Sequence, residues 1–151
     1  MLTSHFSLDE MTHTEQRGLD NTCPPELMPQ LRETALMMER IRGALSAAKG
    51  RDIPVIVTSA YRSPAVNKAV GGSQNSDHMQ ALAVDFKAPA FGSPYQVSKL
   101  LAQHMDALGI GQVIHEFGRW VHVSAKPPSK IVNRIITISA AGVEPGIQEV
   151  A

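Results

Sequence analysis

A chain of 151 residues, 43% of them hydrophobic, fits one domain and is long enough to bury a core without covalent staples. Fourteen Lys and Arg against fourteen Asp and Glu give a formal charge of zero, so no overall basic field argues for nucleic acid or for an anionic membrane surface. The single cysteine, Cys23, excludes an internal disulfide and a cysteine-rich zinc site, which leaves histidine and carboxylate as the ligands of any metal.

The opening MLTSHFSLDEM has neither a basic start nor an apolar run of signal-peptide length, and no later stretch approaches a membrane span. The expectation is a soluble protein made in the cytoplasm without membrane insertion, so a substrate outside the membrane is reached only if something else releases the chain. Ser7 and Glu10 have capping-box spacing, which predicts a short helical turn near residues 8–12. From Pro24-Pro25 onward, ELMPQLRETALMMERIRGALSAAKG reads as the first long helix. Its prolines sit early, Leu31, Met38, Ile41 and Leu45 recur at helical spacing, and Gly50 stops it. Met37 and Met38 read as core filler rather than as metal ligands.

IPVIVTSAY (53–61) is short, β-branched and bounded by charge, the pattern of a buried strand. Ser63-Pro64 supplies an N-cap and first-turn proline for a short helix, PAVNKAV, and GGSQNS (71–76) is a loop that delivers the chain to His78. ALAVDF (81–86) is the next strand. Ser93-Pro94 caps a second long helix, YQVSKLLAQHMDAL, stopped by Gly109. QVIHEF and WVHVSA flank Gly118-Arg119 as a β-hairpin, IVNRIITIS (131–139) adds one strand, and AAGVEPGIQEVA (140–151) is loop or tail. No repeat, low-complexity tract or linker interrupts the chain, so residues 1–151 are expected to form one domain with its core at about 5–139. Helices first and mostly hairpin-linked strands later predict an α+β fold: a small antiparallel sheet with helices packed against it.

Three fragments carry the chemistry: TSAYRSP (58–64), SDHMQALAVDF (76–86) and WVHVS (120–124). His78, Asp85 and His122 offer two imidazoles and one carboxylate, three protein ligands for Zn2+ with a fourth position free for water, which is the pattern of a catalytic rather than a structural ion. His78 and Asp85 are seven residues apart (85 − 78), an odd interval that one strand would send to opposite faces. A turn at Met79-Gln80 must therefore intervene. His122, between Val121 and Val123, points away from two apolar neighbours, and Trp120 shares its face as a wall for a substrate cleft.

Glu116 is the candidate general base and acid, taking a proton from water and passing it to a leaving amine, while the adjacent His115 points to the other face. Arg62 follows the strand at 53–61 and can meet a carboxylate or a developing oxyanion, with Ser59 nearby as a hydrogen-bond donor. Ser76, on the loop before His78, is a further candidate substrate contact. Each residue taken singly has a plainer alternative: a satisfied surface or core histidine for His122, a solvated hairpin glutamate for Glu116, a turn salt bridge for Arg62, a core position for Trp120.

SAYRSPAVNKAVGGSQNSDHMQALAVDF followed by EFGRWVHVS resembles the zinc-dependent D-Ala-D-Ala carboxypeptidase family of peptidoglycan peptidases, which includes bacterial carboxypeptidases and phage endolysins and shares its fold with the signalling domain of hedgehog proteins. HFSLDEMTHTEQRGLDNTCPPELMPQL is similar to the opening of their catalytic domain. The likeness runs from about residue 5 to residue 125, with a weaker echo in the PGI at 145–147. Its specific part is the conjunction of S-x-H, a following A-V-D and a late W-V-H.

The resemblance implies that His78, Asp85 and His122 bind zinc, that Arg62 contacts substrate, and that an acid just upstream of the last histidine shuttles the proton. Relatives commonly carry that acid three residues before the histidine, where this chain has Arg119; the nearest acid is Glu116, six before, which takes the role if the hairpin bends it back towards the metal. Relatives often have a glycine after the first histidine, where this chain has Gln80-Ala81. The implied activity is hydrolysis of an amide bond in a peptidoglycan stem peptide, by carboxypeptidase or endopeptidase action. Two settings stay open, a phage or prophage lysis enzyme, which is the favoured one, and a bacterial enzyme acting on cytoplasmic wall precursors or dipeptide; a monomer is expected in either. The alternative is a non-catalytic module that keeps zinc as a structural ion and recognises cell-wall peptide.

Overall fold

Leu31, Ala35, Met38, Ile41 and Leu45 fall on one stripe of helix α2 (Met28–Lys49) and are fully buried, with Met37 beside them. A computed structural model describes residues 1–126 and 133–150 and packs this stripe into the main core against a six-stranded sheet. A 3-10 turn, Pro25–Leu27, leads into α2, and Gly50 ends it at φ 69, a left-handed cap that favours glycine. Ahead of it, α1 (Leu8–Met11) closes the predicted box: the Glu10 backbone N–H donates to Ser7 Oγ, and the Ser7 N–H donates to the Glu10 carboxylate. Ser63 likewise caps α3 (Pro64–Ala69).

The strands are β1 (Ile56–Ser59), β2 (Ala83–Lys87), β3 (Ile110–Glu116), β4 (Trp120–Ala125), β5 (Arg134–Ser139) and β6 (Gly142–Pro145), in the order β1-β2-β4-β3-β5-β6. The fold is α+β. Every pairing is antiparallel except that of β3 with β5. The sequence suggests mostly hairpin-linked strands in an antiparallel sheet, but β4 and β5 flank β3 on opposite sides, so the chain crosses from one side of β3 to the other and β5 runs parallel to it.

Three further expectations are corrected. The 53–61 segment is not a buried strand: β1 is the sheet's edge, with Ile56 and Thr58 exposed, because only β2 pairs with it. The helix expected over 95–108 is two, α4 (Pro94–Ala102) and α5 (Met105–Leu108), broken at His104 with φ −130. Leu101, Met105 and Leu108 keep helical spacing across the break and are all buried, so periodicity gives no sign of it. The segment 140–151 is not only tail, since β6 pairs antiparallel with β5 through Ile136↔Pro145 and Thr137↔Glu144. Residues 131, 132 and 151 of the predicted final segments lie outside the described residues.

Strand alternation divides the sheet into two faces of different character. Val84, Phe86, Val113, Val121 and Val123 point into the core with α2 and α4. The opposite face carries one cross-strand row through the pairings Ser59↔Asp85, Asp85↔His122, Ile114↔His122 and Ile114↔Ile136. A neighbouring row runs Ser124–Gln112–Arg134, and another pairs Trp120 with Glu116. No helix among the described residues is long and apolar enough to cross a membrane.

Candidate metal centre and active site

Asp85 and His122 are register partners on β2 and β4, so their side chains leave the same face side by side. His78 reaches them from a 3-10 turn, Asp77–Gln80, capped by Ser76 Oγ, which accepts from the His78 backbone N–H at 3.2 Å. This turn is the break that the odd spacing of His78 and Asp85 requires. The chain leaves it through Ala81 at φ 58, a left-handed conformation costly for alanine and free for glycine. A fully buried alanine takes this backbone geometry.

The three side chains converge and are nearly excluded from solvent: His78 is 3% exposed, Asp85 7% and His122 8%. Their ligand atoms all lie within 4.8 Å of one another. His78 Nε2 is 3.3 Å from Asp85 Oδ2, and His122 Nδ1 is 2.8 Å from Asp85 Oδ1. The two rings meet edge to face, with centroids 5.1 Å apart.

His78 Nδ1 lies 2.7 Å from the Ala60 carbonyl oxygen, an atom that can only accept, so Nδ1 carries the proton and donates it. In the neutral ring Nε2 then presents a lone pair towards a carboxylate oxygen. Two bare acceptors would repel each other across 3.3 Å, so either a proton on Nε2 donated to the carboxylate or a metal cation must lie between them. A tetrahedral ion bound at 2.0–2.1 Å separates its ligands by about 3.3 Å. On the other ring, His122 Nε2 is tied to Ser124 Oγ at 3.1 Å, which turns Nδ1 to the site. Two imidazole nitrogens and one carboxylate, each ring held by a partner on its far nitrogen, fit a zinc-type ion and leave room for a further ligand.

Burial pushes the Asp85 carboxyl up, but hydrogen bonding to His122 and His78 and the charge of those rings outweigh it and hold Asp85 well below the usual carboxylate range. The ligand is thus ionised wherever an ion could bind. Arg62 shares the same oxygen, with Nη2 at 3.3 Å from Asp85 Oδ2, and is steadied by Nε donating to Ser59 Oγ at 3.0 Å and Nη1 to Asn67 Oδ1 at 3.4 Å. Ser59 therefore stands as an acceptor for Arg62.

Glu116 lies diagonally across the hairpin from His122, with Oε1 3.7 Å from His122 Nδ1. No extra bend is needed. Phe117 at φ 54 and Gly118 at φ 67 form a mirror-image turn closed by Arg119 N–H to Glu116 O, and the resulting pair Glu116↔Trp120 sets the carboxylate one row from the ligand. Burial raises the Glu116 carboxyl above its ordinary value; the Asp85 charge adds to this, while His122 and Arg62 offset it in part. His115 faces the opposite way, fully buried, with Nδ1 donating to Gln148 O at 2.9 Å.

A cleft of about 480 Å³ opens beside His122, with Ser73, Asn75, Ser76 and Asp77 on one wall and Gln112, Ile114, Ser124 and Arg134 on the other. Ser76 thus lies on the cleft. Trp120 does not line it: its ring leans on Phe117 at 5.8 Å between centroids and borders a separate hollow with Arg119, Ala140 and Val150. Asn67, 3% exposed, escapes sequence reasoning, because a helix pattern says nothing of an amide that links Arg62 to the loop at Ser73. Ser124 could have been found, since it sits two residues beyond His122 on the same face.

The family model for Peptidase M15 matches residues 4–124. The chain belongs to the peptidase M15 family. A comparison with curated proteins finds no match. Membership makes this M15 protein a metal-dependent hydrolase of peptide bonds, and the group His78, Asp85 and His122 could hold its ion.

Proposed function

We propose that the chain is a zinc peptidase that hydrolyses an amide bond in peptidoglycan stem peptides, with His78, Asp85 and His122 as ligands, Glu116 as proton shuttle and Arg62 as substrate contact. The observation that carries the reading is the convergence of acceptors: a histidine whose other nitrogen is committed to Ala60 faces an ionised carboxylate, with a second imidazole alongside. A bound zinc ion would supply Lewis acidity, polarising the scissile carbonyl and acidifying water.

The chain's own residues supply the rest. Glu116, held near His122 and raised by burial, accepts a proton at a carboxylate oxygen from the attacking water and returns it to the leaving amine. Arg62 spends part of its fork on Ser59, Asn67 and Asp85, which orients its remaining N–H groups for a substrate carbonyl or the oxyanion formed from it. Ser59 and Asn67 position Arg62; Ser76 borders the cleft. Trp120 is retained as a contact for more distant parts of the substrate, through the hollow it shares with Phe117.

The substrate class and the phage or prophage lysis setting rest on the sequence's likeness to wall peptidases and endolysins, and the chain is taken to work as a monomeric single domain. Mass spectrometry of muropeptides digested by zinc-loaded protein tests the reading, because new termini name the bond cut. Zinc bound at one per chain with no new termini would instead favour a recognition module. Cleavage of free dipeptide without clearing of outer-membrane-permeabilised cells would move the enzyme from wall lysis to precursor turnover.

A further inference from the structure

The sheet order puts the candidate metal ligands between two arginines. Arg62 follows β1 on one side, Asp85 and His122 sit on β2 and β4, and Arg134 begins β5 on the other side. Arg134 is exposed, and among the described residues it is the only Lys or Arg lining the cleft beside His122; Asp77, on the loop wall, is the only carboxylate there among the described residues. Register fixes how far it stands from the chemistry. Arg134 pairs with Gln112, which pairs with Ser124, two residues beyond His122. Two strand spacings and one two-residue step separate the Arg134 and His122 backbones by roughly 12 Å, and an arginine side chain spans about half of that. An extended peptide advances about 3.5 Å per residue, so a group meeting the guanidinium belongs within about two residues of the bond being cut.

We propose that Arg134 selects the scissile bond by holding a free carboxylate of the substrate at the far end of this cleft. A guanidinium takes a carboxylate through two parallel N–H bonds, giving direction as well as charge. The proposal deepens the peptidase reading and rests on it. The carboxylate has two sources in a stem peptide: the C-terminal α-carboxylate of the chain, or a free carboxylate on an interior residue. The shared chemistry is the anion, and the source decides between carboxypeptidase and endopeptidase action.

Calorimetric binding to zinc-loaded Glu116→Gln protein, with and without Arg134→Gln, tests this independently of turnover. The ligands are a stem pentapeptide, its C-terminal amide, and the peptide amidated at its interior carboxylates. Arg134→Gln is expected to weaken binding of the all-acid peptide by about 10- to 100-fold, the scale of a lost charge-assisted pair. One of the two amides should bind parent protein equally weakly and be insensitive to the substitution. If that is the C-terminal amide, the enzyme is a carboxypeptidase; if the interior amide, an endopeptidase. With Glu116 restored, the loss should appear as a raised KM at nearly constant kcat, and Arg134→Lys should recover part of it. Equal binding of all three peptides, or no effect of Arg134→Gln on the acid form, overturns the proposal. Acid-selective binding that depends on Arg134 with no hydrolysis by the parent protein keeps the carboxylate site and removes the peptidase reading.

Discussion

His78 Nδ1 donates to the Ala60 carbonyl at 2.7 Å, and this one bond decides which nitrogen of the ring looks at Asp85. Zinc should therefore stabilise the fold through a site already shaped for it. At a hundredfold excess over its dissociation constant an ion adds roughly 2.7 kcal/mol. For a chain of this size that corresponds to a rise of roughly 5–10 °C in the thermal midpoint. Asp85→Asn keeps the shape and removes the charge, so zinc per chain should fall from about one to near zero and the zinc-dependent rise should vanish. Midpoints recorded in chelator and in added zinc, with elemental analysis of the same samples, give the answer. An undiminished rise in Asp85→Asn protein would place the ion elsewhere.

Glu116→Gln should leave zinc stoichiometry unchanged while lowering kcat by about 10²- to 10⁴-fold, the usual weight of a positioned proton carrier. The substitution is nearly isosteric and removes a partly buried acid that already resists ionisation, so the thermal midpoint should not drop. Unchanged turnover would move the shuttle to another residue.

The candidate ligand set is legible in the sequence because its residue types and flanking motifs are local, whereas the partners of those residues come from pairing. Seven residues between His78 and Asp85 called for a turn, and the 3-10 segment at Asp77–Gln80 is that turn. The position of Glu116 looked awkward at six residues before His122, because counting along the chain ignores the hairpin. Across the turn the two are diagonal neighbours. The parallel entry of β5, and with it the place of Arg134 on the cleft, depends on a crossover past β3 that alternation alone cannot reveal. The edge exposure of β1 has the same origin: Ile56 and Val57 suit a strand, but only the strand order shows that one side is unpaired.

Glu39, on α2, gathers the N-terminal segment: Thr3 Oγ1 and the His5 backbone N–H donate to Oε2 at 2.7 and 2.6 Å, and His5 Nδ1 lies 2.7 Å from Oε1. Burial pushes its carboxyl up, but these hydrogen bonds outweigh it and leave it below the ordinary glutamate value. A carboxyl lowered in the folded state contributes stability above its unfolded pKa and loses it as pH falls through the folded one. Glu39→Gln should therefore cost about 1–2 kcal/mol at pH 7. The difference from parent should shrink once pH drops through the normal glutamate range and vanish below the depressed value. Urea midpoints of both proteins across pH 7 to 3 measure it, and a gap undiminished at the acid end would contradict the assignment.

Two glycines separate stability from site geometry. Gly43 lies exposed within α2, and a Cβ there would meet nothing within 4 Å, so Gly43→Ala should stabilise by about 0.5–1 kcal/mol through backbone entropy alone, with kcat and KM unaltered. At Gly72 an added Cβ would fall 2.1 Å from Asn67 Oδ1, the atom that accepts from Arg62, and Asn67 also holds the loop through its bond to Ser73 O at 2.9 Å. Gly72→Ala should displace the amide, release Arg62 from one of its guides and loosen the cleft wall. The expected outcome is a fall in kcat/KM of about tenfold, the effect of roughly 1.4 kcal/mol of lost positioning, with zinc still bound. Asn67→Ala, which removes the guide without the clash, should reproduce that loss. Full activity in both variants would show that Arg62 is held well enough by Ser59 and Asp85 alone.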